Sequence, residues 1–455
     1  MILLLAHNRR HCNFFTQLSK KFYGNYKTAT SFPSLSAVDF DFFKMVGDND
    51  YRDVNIEEID IIFNKYEINI NKFAAFDRSI SYYPTLLKKA SMSRDDLRLY
   101  IFTLVKIFEN LLDKEPIDTI FSELIIGLFD AVLHAVSLKK GVQYIGIRQS
   151  KMKEGFVLVN PYTEEPVAFN PKLDISNMDS KEYIQKESEN HCSPNYMRHS
   201  KGNAKIFDLR LIQYLSLLFS TLSNPIVRNY YINRIQYRWH RFLNIYRTRK
   251  TNVQSLFSTE LPKEINYYIY PLQFEPEATV MVRGYPFSDQ IGLIERISRQ
   301  LPEGKFLVVK EHLGNEGYRK IEDYFRLYSM PNVILVGRNF SVDYLLNRSE
   351  GVITISGRMG FEALCRGIKV CCLGYPFWRD ATKFKYSNPE SLSNLINKFD
   401  KSELEINESS LNSLVSVYLG SIYPGSFLML DGNVCHTSNL SNFHTALSNW
   451  RSNEI

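Results

Sequence analysis

The chain has 455 residues, room for two α/β domains, and a formal net charge of only +6. No apolar run is long enough to cross a bilayer, so a membrane-spanning protein is not expected. The six cysteines form no CxxC pair and no framework spacing, and the nine histidines form no zinc motif, which points to a reducing cytoplasm and no structural metal.

The opening MILLLA is too short for a signal peptide and lacks a basic region before it, so it reads as the first strand of a sheet. Asp77-Arg78 follows in FDRSISYYP, a loop-like stretch between Phe76 and Pro84. Asp118 to Phe121 reads as a strand after the Pro116 break and ends at Ser122-Glu123. Leu128 to Lys139 has helical spacing and a basic end, and Gly141 stops it. Val142 to Ile147 is the next strand and ends at Arg148. This is a βαβ unit, and it sets Glu123 and Arg148 at neighbouring strand ends on one rim. A carboxylate pair (Glu123, Asp77) and two guanidiniums (Arg78, Arg148) there suit acid/base work and anion binding. An ordinary ion-pair network closing the strand ends would look the same in sequence.

The middle of the chain differs. Gly155 to Pro171 reads as a strand pair, Lys181 to Lys205 as polar and loop-like, and Ile206 to Ser223 as helical. Arg228 to Lys250 then carries seven basic residues and no Asp or Glu, a formal +7 against +6 for the whole chain. It interleaves Arg234, Arg238 and Arg241 with Trp239 and other aromatics. A basic aromatic helix fits an anionic membrane surface, at about 1 kcal/mol per basic residue near the lipid. A linker helix packed by its aromatics is the plain alternative. No second basic patch supports a nucleic-acid partner.

Alternation of strand and helix resumes downstream. Lys305 to Lys310 reads as a buried strand ending in Glu311-His312, and a helix-like stretch runs from Glu316 to Tyr328. Asn332 to Val336 is another strand, and Ser341 caps a short helix to Asn347. In GVITISGRMGFEALCRGIKVCCLG, Gly351 to Gly374, a strand breaks at Ser356-Gly357, a helix starts at Met359 with Glu362 in its first turn, and a second strand follows from Lys369. This spacing argues a doubly wound parallel sheet, whose ligands bind at the carboxyl ends of the strands. Backbone N–H groups at the helix start suit a phosphate, and Glu362 suits a ribose diol.

Four pieces in order carry a family resemblance: YPLQFEPEAT at Tyr270 to Thr279, LVVKEH at Leu307 to His312, PNVILV at Pro331 to Val336 and TISGRMGFEAL at Thr354 to Leu364. Together they resemble the bacterial capsular polysaccharide synthesis family, which contains β-Kdo transferases, across roughly Tyr267 to Trp378. The FSE at Phe121 to Glu123 and Asp77-Arg78 also look family-like. The resemblance implies a GT-B glycosyltransferase: two Rossmann-like domains facing across a cleft, with a helical insert between them and the donor nucleotide on the C-terminal one. The domains so implied are residues 1–170, a connecting region 171–262, a nucleotide-sugar domain 263–425 and a tail 426–455 returning to the first domain.

Carried over, His312 is expected at the donor phosphate, with Lys310 and Glu311 before it. Ser356, Gly357 and Gly360 match the glycine turn, with Arg358 and Met359 between them as further nucleotide-sugar-binding candidates, and Glu362 matches the glutamate near the nucleotide's sugar. The chain departs from the family pattern at Gln273, where the family has His, at Leu313, where it has Pro, and at Arg358, where it has a small residue. Arg358 adds a phosphate contact or fills the pocket of a different donor. The implied partners are a nucleotide-sugar donor, with CMP-Kdo leading, and a lipid-linked saccharide acceptor. No further cofactor or metal is expected. The implied setting is the cytoplasm, peripheral on the inner face of the membrane, with Glu123 and then Asp77 as the base or nucleophile. A sugar-nucleotide epimerase and a silent scaffold protein are the alternatives.

Overall fold

A computed structural model describes residues 1–32, 38–48, 54–82, 92–173, 180–190, 236, 239–240, 242–247, 253–275, 277–315, 319–387, 391–402, 408–427 and 435–454. The chain divides into two compact units. The first comprises Met1–Leu173 and Ser421–Ile455; the second comprises Arg238–Gly420 and the helix Ser180–Asn190. Segment 171–262 thus contributes to both units.

In the first unit, β1 (Ile2–Ala6), β2 (Tyr26–Thr30), β3 (Phe40–Asp41), β4 (Thr119–Ser122), β5 (Gln143–Gln149) and β6 (Phe156–Val159) form one sheet. Its order is β3-β2-β1-β4-β5-β6, parallel except for β6, which runs antiparallel to β5. Every residue of β1 is buried, as a strand covered on both faces requires, and MILLLA is that strand. The core joins Leu4, Phe14, Phe121 and Ile147 to Phe443 and Trp450 of the C-terminal helix Thr437–Glu454. Gly155 has φ +138°, and a Cβ there would meet the Tyr423 carbonyl at 2.6 Å, so only glycine lets that chain end pass so close.

The second unit repeats the plan. Strands β7 (Asn266–Pro271), β8 (Lys305–Lys310), β9 (Val333–Val336), β10 (Gly351–Thr354), β11 (Val370–Cys372) and β12 (Phe384–Lys385) lie in the order β12-β11-β10-β7-β8-β9, all parallel. Tyr268, Leu307, Ile353 and Phe399 are among the buried side chains of its core. Both units are therefore α/β and Rossmann-like. In each, the strand order reverses beside the first strand, between β1 and β4 and between β7 and β10. Those two switch points are where open sheets of this kind hold ligands.

Two local expectations are corrected. Asp77-Arg78 is not loop: the helix Ile70–Phe76 is capped by Asp77 and runs into a π-helical turn, Arg78–Tyr82. Ser79 N–H donates to Asp77 Oδ1 at 2.8 Å, so the carboxylate itself nucleates that turn. Nor is the start of the Lys181 to Lys205 stretch a loop, since Ser180–Asn190 is an α-helix. A Glu182–Lys186 pair supports it, and Tyr183 and Glu187 are buried against the second unit in a way its polar composition conceals.

Candidate active site

The second unit's switch point is built from the ends of β7 and β10. After β7, the Gln273 N–H donates to Gln290 Oε1 at 2.8 Å and Gln290 Nε2 donates back to the Gln273 carbonyl at 3.1 Å. This reciprocal clamp fixes the Gln273 side chain against the glycine turn. With its amide oxygen toward the backbone donors, as their chemistry requires, Gln273 accepts from the Ser356 N–H at 2.8 Å and donates to Ser356 Oγ at 3.1 Å. Ser356 Oγ in turn donates to the Thr279 carbonyl at 3.0 Å, and the Gly357 N–H reaches Thr354 Oγ1 at 3.2 Å. The turn's first two N–H groups thus have side-chain acceptors of their own, which a phosphate would have to displace.

The helix after the turn runs Arg358–Cys365 with Gly357 at its N-cap, so it starts one residue before Met359 and Glu362 lies just past its first turn. Arg358 donates to Glu187 at 2.7 Å, and its Nε lies 3.3 Å from Glu362. A single guanidinium is thus spread over two carboxylates, one of them fully buried. The expected phosphate contact from Arg358 and the expected diol contact from Glu362 both compete with this pairing. Gly360 has a packing reason: a Cβ there would meet the Trp378 ring at 2.5 Å.

At the end of β8, Lys310 Nζ donates to the Arg338 carbonyl at 2.8 Å, and burial lowers its pKa to about 8. Glu311 accepts from Tyr324 Oη at 2.6 Å and from the His312 N–H at 2.7 Å. Buried Arg319 lies 3.5 Å from both Glu275 and Glu311 and so ties the YPLQFEPE run to the KEH run. Glu275 also accepts from the Gln290 side chain. Lys310 and Glu311 are therefore buried and bonded inward, and His312 is the exposed member of the three. Its Nδ1 accepts from the Gly314 N–H at 3.1 Å, which places the proton of the neutral ring on Nε2, a donor suited to an anion. Crowding by its surroundings, Phe274 among them, desolvates the imidazole and lowers its pKa, against the opposing pull of Glu277 and Glu311.

The first unit's switch point gathers a different set. His7 follows β1, Ser31 follows β2, and Ser122 ends β4. The His7 ring joins all three: Nδ1 to Ser31 Oγ at 2.9 Å and Nε2 to Ser122 Oγ at 2.7 Å. Asp130, 2% exposed, lies 3.2 Å from the same Nε2 and accepts from the Ile126 N–H at 3.2 Å. Burial raises the Asp130 pKa to about 6 despite the His7 partner, and nearby Glu123 and Asp77 push it the same way.

Glu123 follows Ser122 directly, and its side chain is 24% exposed. The nearest histidine nitrogen, His11 Nδ1, is 3.6 Å away. That nitrogen already accepts from Asn8 Nδ2 at 2.9 Å, because Asn8 Oδ1 is spent capping the Arg10 and His11 N–H groups. Desolvation also lowers the His11 pKa, which keeps the ring neutral. Among the described residues, no hydrogen-bond donor reaches the Glu123 carboxylate, whereas Asp77 is buried and holds the π-helical turn. Of the two cations placed on this rim, Arg148 lies within β5, 3.6 Å from buried Glu164, and Arg78 is half-buried in the π-helical turn.

The sequence missed His7, Asp130 and Arg319. His7 had a usable signal, since it stands where the MILLLA strand runs out on the rim. Asp130 had none, being one acid within a helical pattern. Of the residues expected at a membrane surface, Arg234, Arg238 and Arg241 lie outside the described residues, and Trp239 is exposed and stacked on Phe242. Among the described residues, no helix is long and apolar enough to cross a membrane, and no group of three His, Cys, Asp or Glu residues could hold a metal ion.

Residues 173–382 match a family model described as capsule polysaccharide biosynthesis protein. The family read from the four motifs is the family that is matched. The match spans β7 to β11 and so contains the whole second switch point. No curated protein matches the chain. Among solved structures, the chain is similar to the beta Kdo 2,7 transferase KpsC of Thermosulfurimonas dismutans, at 12% identity over 98% of this chain and 99% of that one, with a TM-score of 0.38. It is similar to the beta Kdo 2,4 transferase KpsC of the same organism, at 13% identity over 71% and 96%, with a TM-score of 0.30. It is also similar to UDP-GlcNAc 2-epimerase from Neisseria meningitidis, at 13% identity over 98% and 99%, with a TM-score of 0.25.

Proposed function

We propose that the chain is a GT-B glycosyltransferase of capsular or surface polysaccharide synthesis, moving a sugar from a nucleotide donor to a lipid-linked saccharide acceptor. Kdo from CMP-Kdo is the leading donor. The observation that carries this reading is the family match, because it covers the second switch point together with the KEH and TISG runs. The chemistry suits the residues. A nucleotide sugar releases a phosphate, whose growing negative charge must be met by fixed donors. The Nε2–H of His312 and the start of the Arg358–Cys365 helix are the donors offered in the second unit. Glu123, partly exposed and without a hydrogen-bonded partner, is the carboxylate offered in the first unit as base or nucleophile.

One observation favours a silent binding protein instead. Arg358 is committed to Glu187 and Glu362, so the turn's own cation and the ribose glutamate satisfy each other. Nucleotide binding tests both readings, through a thermal-shift screen against CMP, CDP, UDP and GDP. A ligand that binds the native state alone, at a hundred times its Kd, stabilises by about 2.7 kcal/mol. The transferase reading expects one nucleotide to raise the melting point saturably; no shift with any of them contradicts it.

A further inference from the structure

The first unit's switch point holds a buried polar cluster that the sequence did not single out. Three strand ends converge on one imidazole, and the hydrogen-bond directions can be assigned. Asp130 Oδ1, an acceptor, lies 3.2 Å from His7 Nε2, so the ring proton is assigned to that nitrogen, which then donates to Ser122 Oγ at 2.7 Å. The Ser122 hydroxyl has the Leu5 carbonyl, 3.3 Å away, as its own acceptor. Ser31 Oγ completes the ring's partners at Nδ1. Hydrogen bonds thereby join Ser31, His7 and Ser122, Asp130 Oδ1 stands beside Nε2 at ion-pair distance with no hydrogen bond of its own, and the next residue after Ser122 is Glu123.

We propose that His7 and Asp130 are a buried proton-sharing pair that positions Glu123, by locking the end of β4 to the ends of β1 and β2. Both act at one remove: His7 through Ser122 on the carboxylate beside it, and Asp130 through His7. This rests on the transferase reading for the role of Glu123, but not for the pair itself. The groups facing Asp130 are His7 after β1, Glu123 after β4, Asp77 at the head of the π-helical turn, Tyr144 on β5 and Tyr162 beyond β6. Asp130 binds its proton more tightly folded than unfolded, since burial lifts its pKa from 3.8 to about 6. Between those values the native state holds more protons than the unfolded chain, so this carboxyl makes stability fall as pH rises through the window.

Two readouts test the pair in the full chain. Nitrogen-15 histidine spectra, with His7 assigned by its loss in H7Q, should show an Nε2-protonated ring whose proton exchanges slowly and lies downfield. In Asp130→Asn that proton should move upfield, and the melting temperature relative to wild type should become more favourable from pH 4 to pH 7. A solvent-exchanging His7 proton, unmoved by Asp130→Asn, overturns the pair whatever the activity. The positioning role is read in CMP release from CMP-Kdo. H7Q keeps a donor near the Nε2 position and should retain more of kcat than H7A, with KM little changed in either. Equal loss in both variants overturns positioning through that donor. Absence of CMP release from the wild type, with the histidine spectrum as expected, overturns the transferase reading and leaves the pair standing.

Discussion

Glu123 and Asp77 look alike in the sequence, each an acid near a strand or helix end, yet they sit in opposite chemical situations. Asp77 is buried and spends an oxygen on the Ser79 N–H. Glu123 is partly exposed, and its one histidine neighbour is already engaged with Asn8. The difference lies in an oxygen spent on the N–H two residues along in one case, and in an Asn8–His11 bond far off in the chain that takes up Glu123's nearest histidine nitrogen in the other. His312 separates from Lys310 and Glu311 in the same manner: its neighbours bond inward, and its Nε2–H is left as the outward donor. A hydrogen bond to a charged phosphate is worth roughly 1.5–3 kcal/mol. His312→Ala should therefore weaken binding of the nucleotide found by thermal shift about ten- to a hundredfold, and unchanged affinity by calorimetry removes His312 from the site.

At the scale of elements, the strands were legible because buried parallel strands are short apolar runs, and MILLLA, KFLVVK and GVIT are all such runs. The glycine turn was legible for the same reason, since Gly sits where the chain must break. What escaped was the helix Ser180–Asn190. Its burial depends on Glu187 meeting Arg358, 171 residues later, and a lone glutamate in a polar stretch gives no hint of that. The same pairing explains why Arg358 could be read from sequence as a phosphate contact. Gly360 is the sharper case. Alanine would favour the helix by about 1 kcal/mol, but its Cβ would drive into the buried Trp378 ring at 2.5 Å, and overpacking of that kind costs about 1–3 kcal/mol. Gly360→Ala should lower the urea midpoint; a raised midpoint would mean that Trp378 yields freely.

For the whole molecule, two units with the same strand order and two switch points match the architecture that the motif order implied. In the basic aromatic segment, Trp239, Phe242 and Tyr246 are all exposed. Reversing the charges of Arg234, Arg238 and Arg241 should release the protein from anionic liposomes, and a wild type that never pellets with them ends the membrane proposal. Sugar transfer is read from its products. CMP-Kdo is incubated with a lipid-linked saccharide acceptor, and both products are read by mass spectrometry. A transferase gives an acceptor longer by one sugar with matching release of CMP, and loses both in a normally folded Glu123→Gln. An isomerised donor with an unchanged acceptor, or no change in either, would contradict sugar transfer.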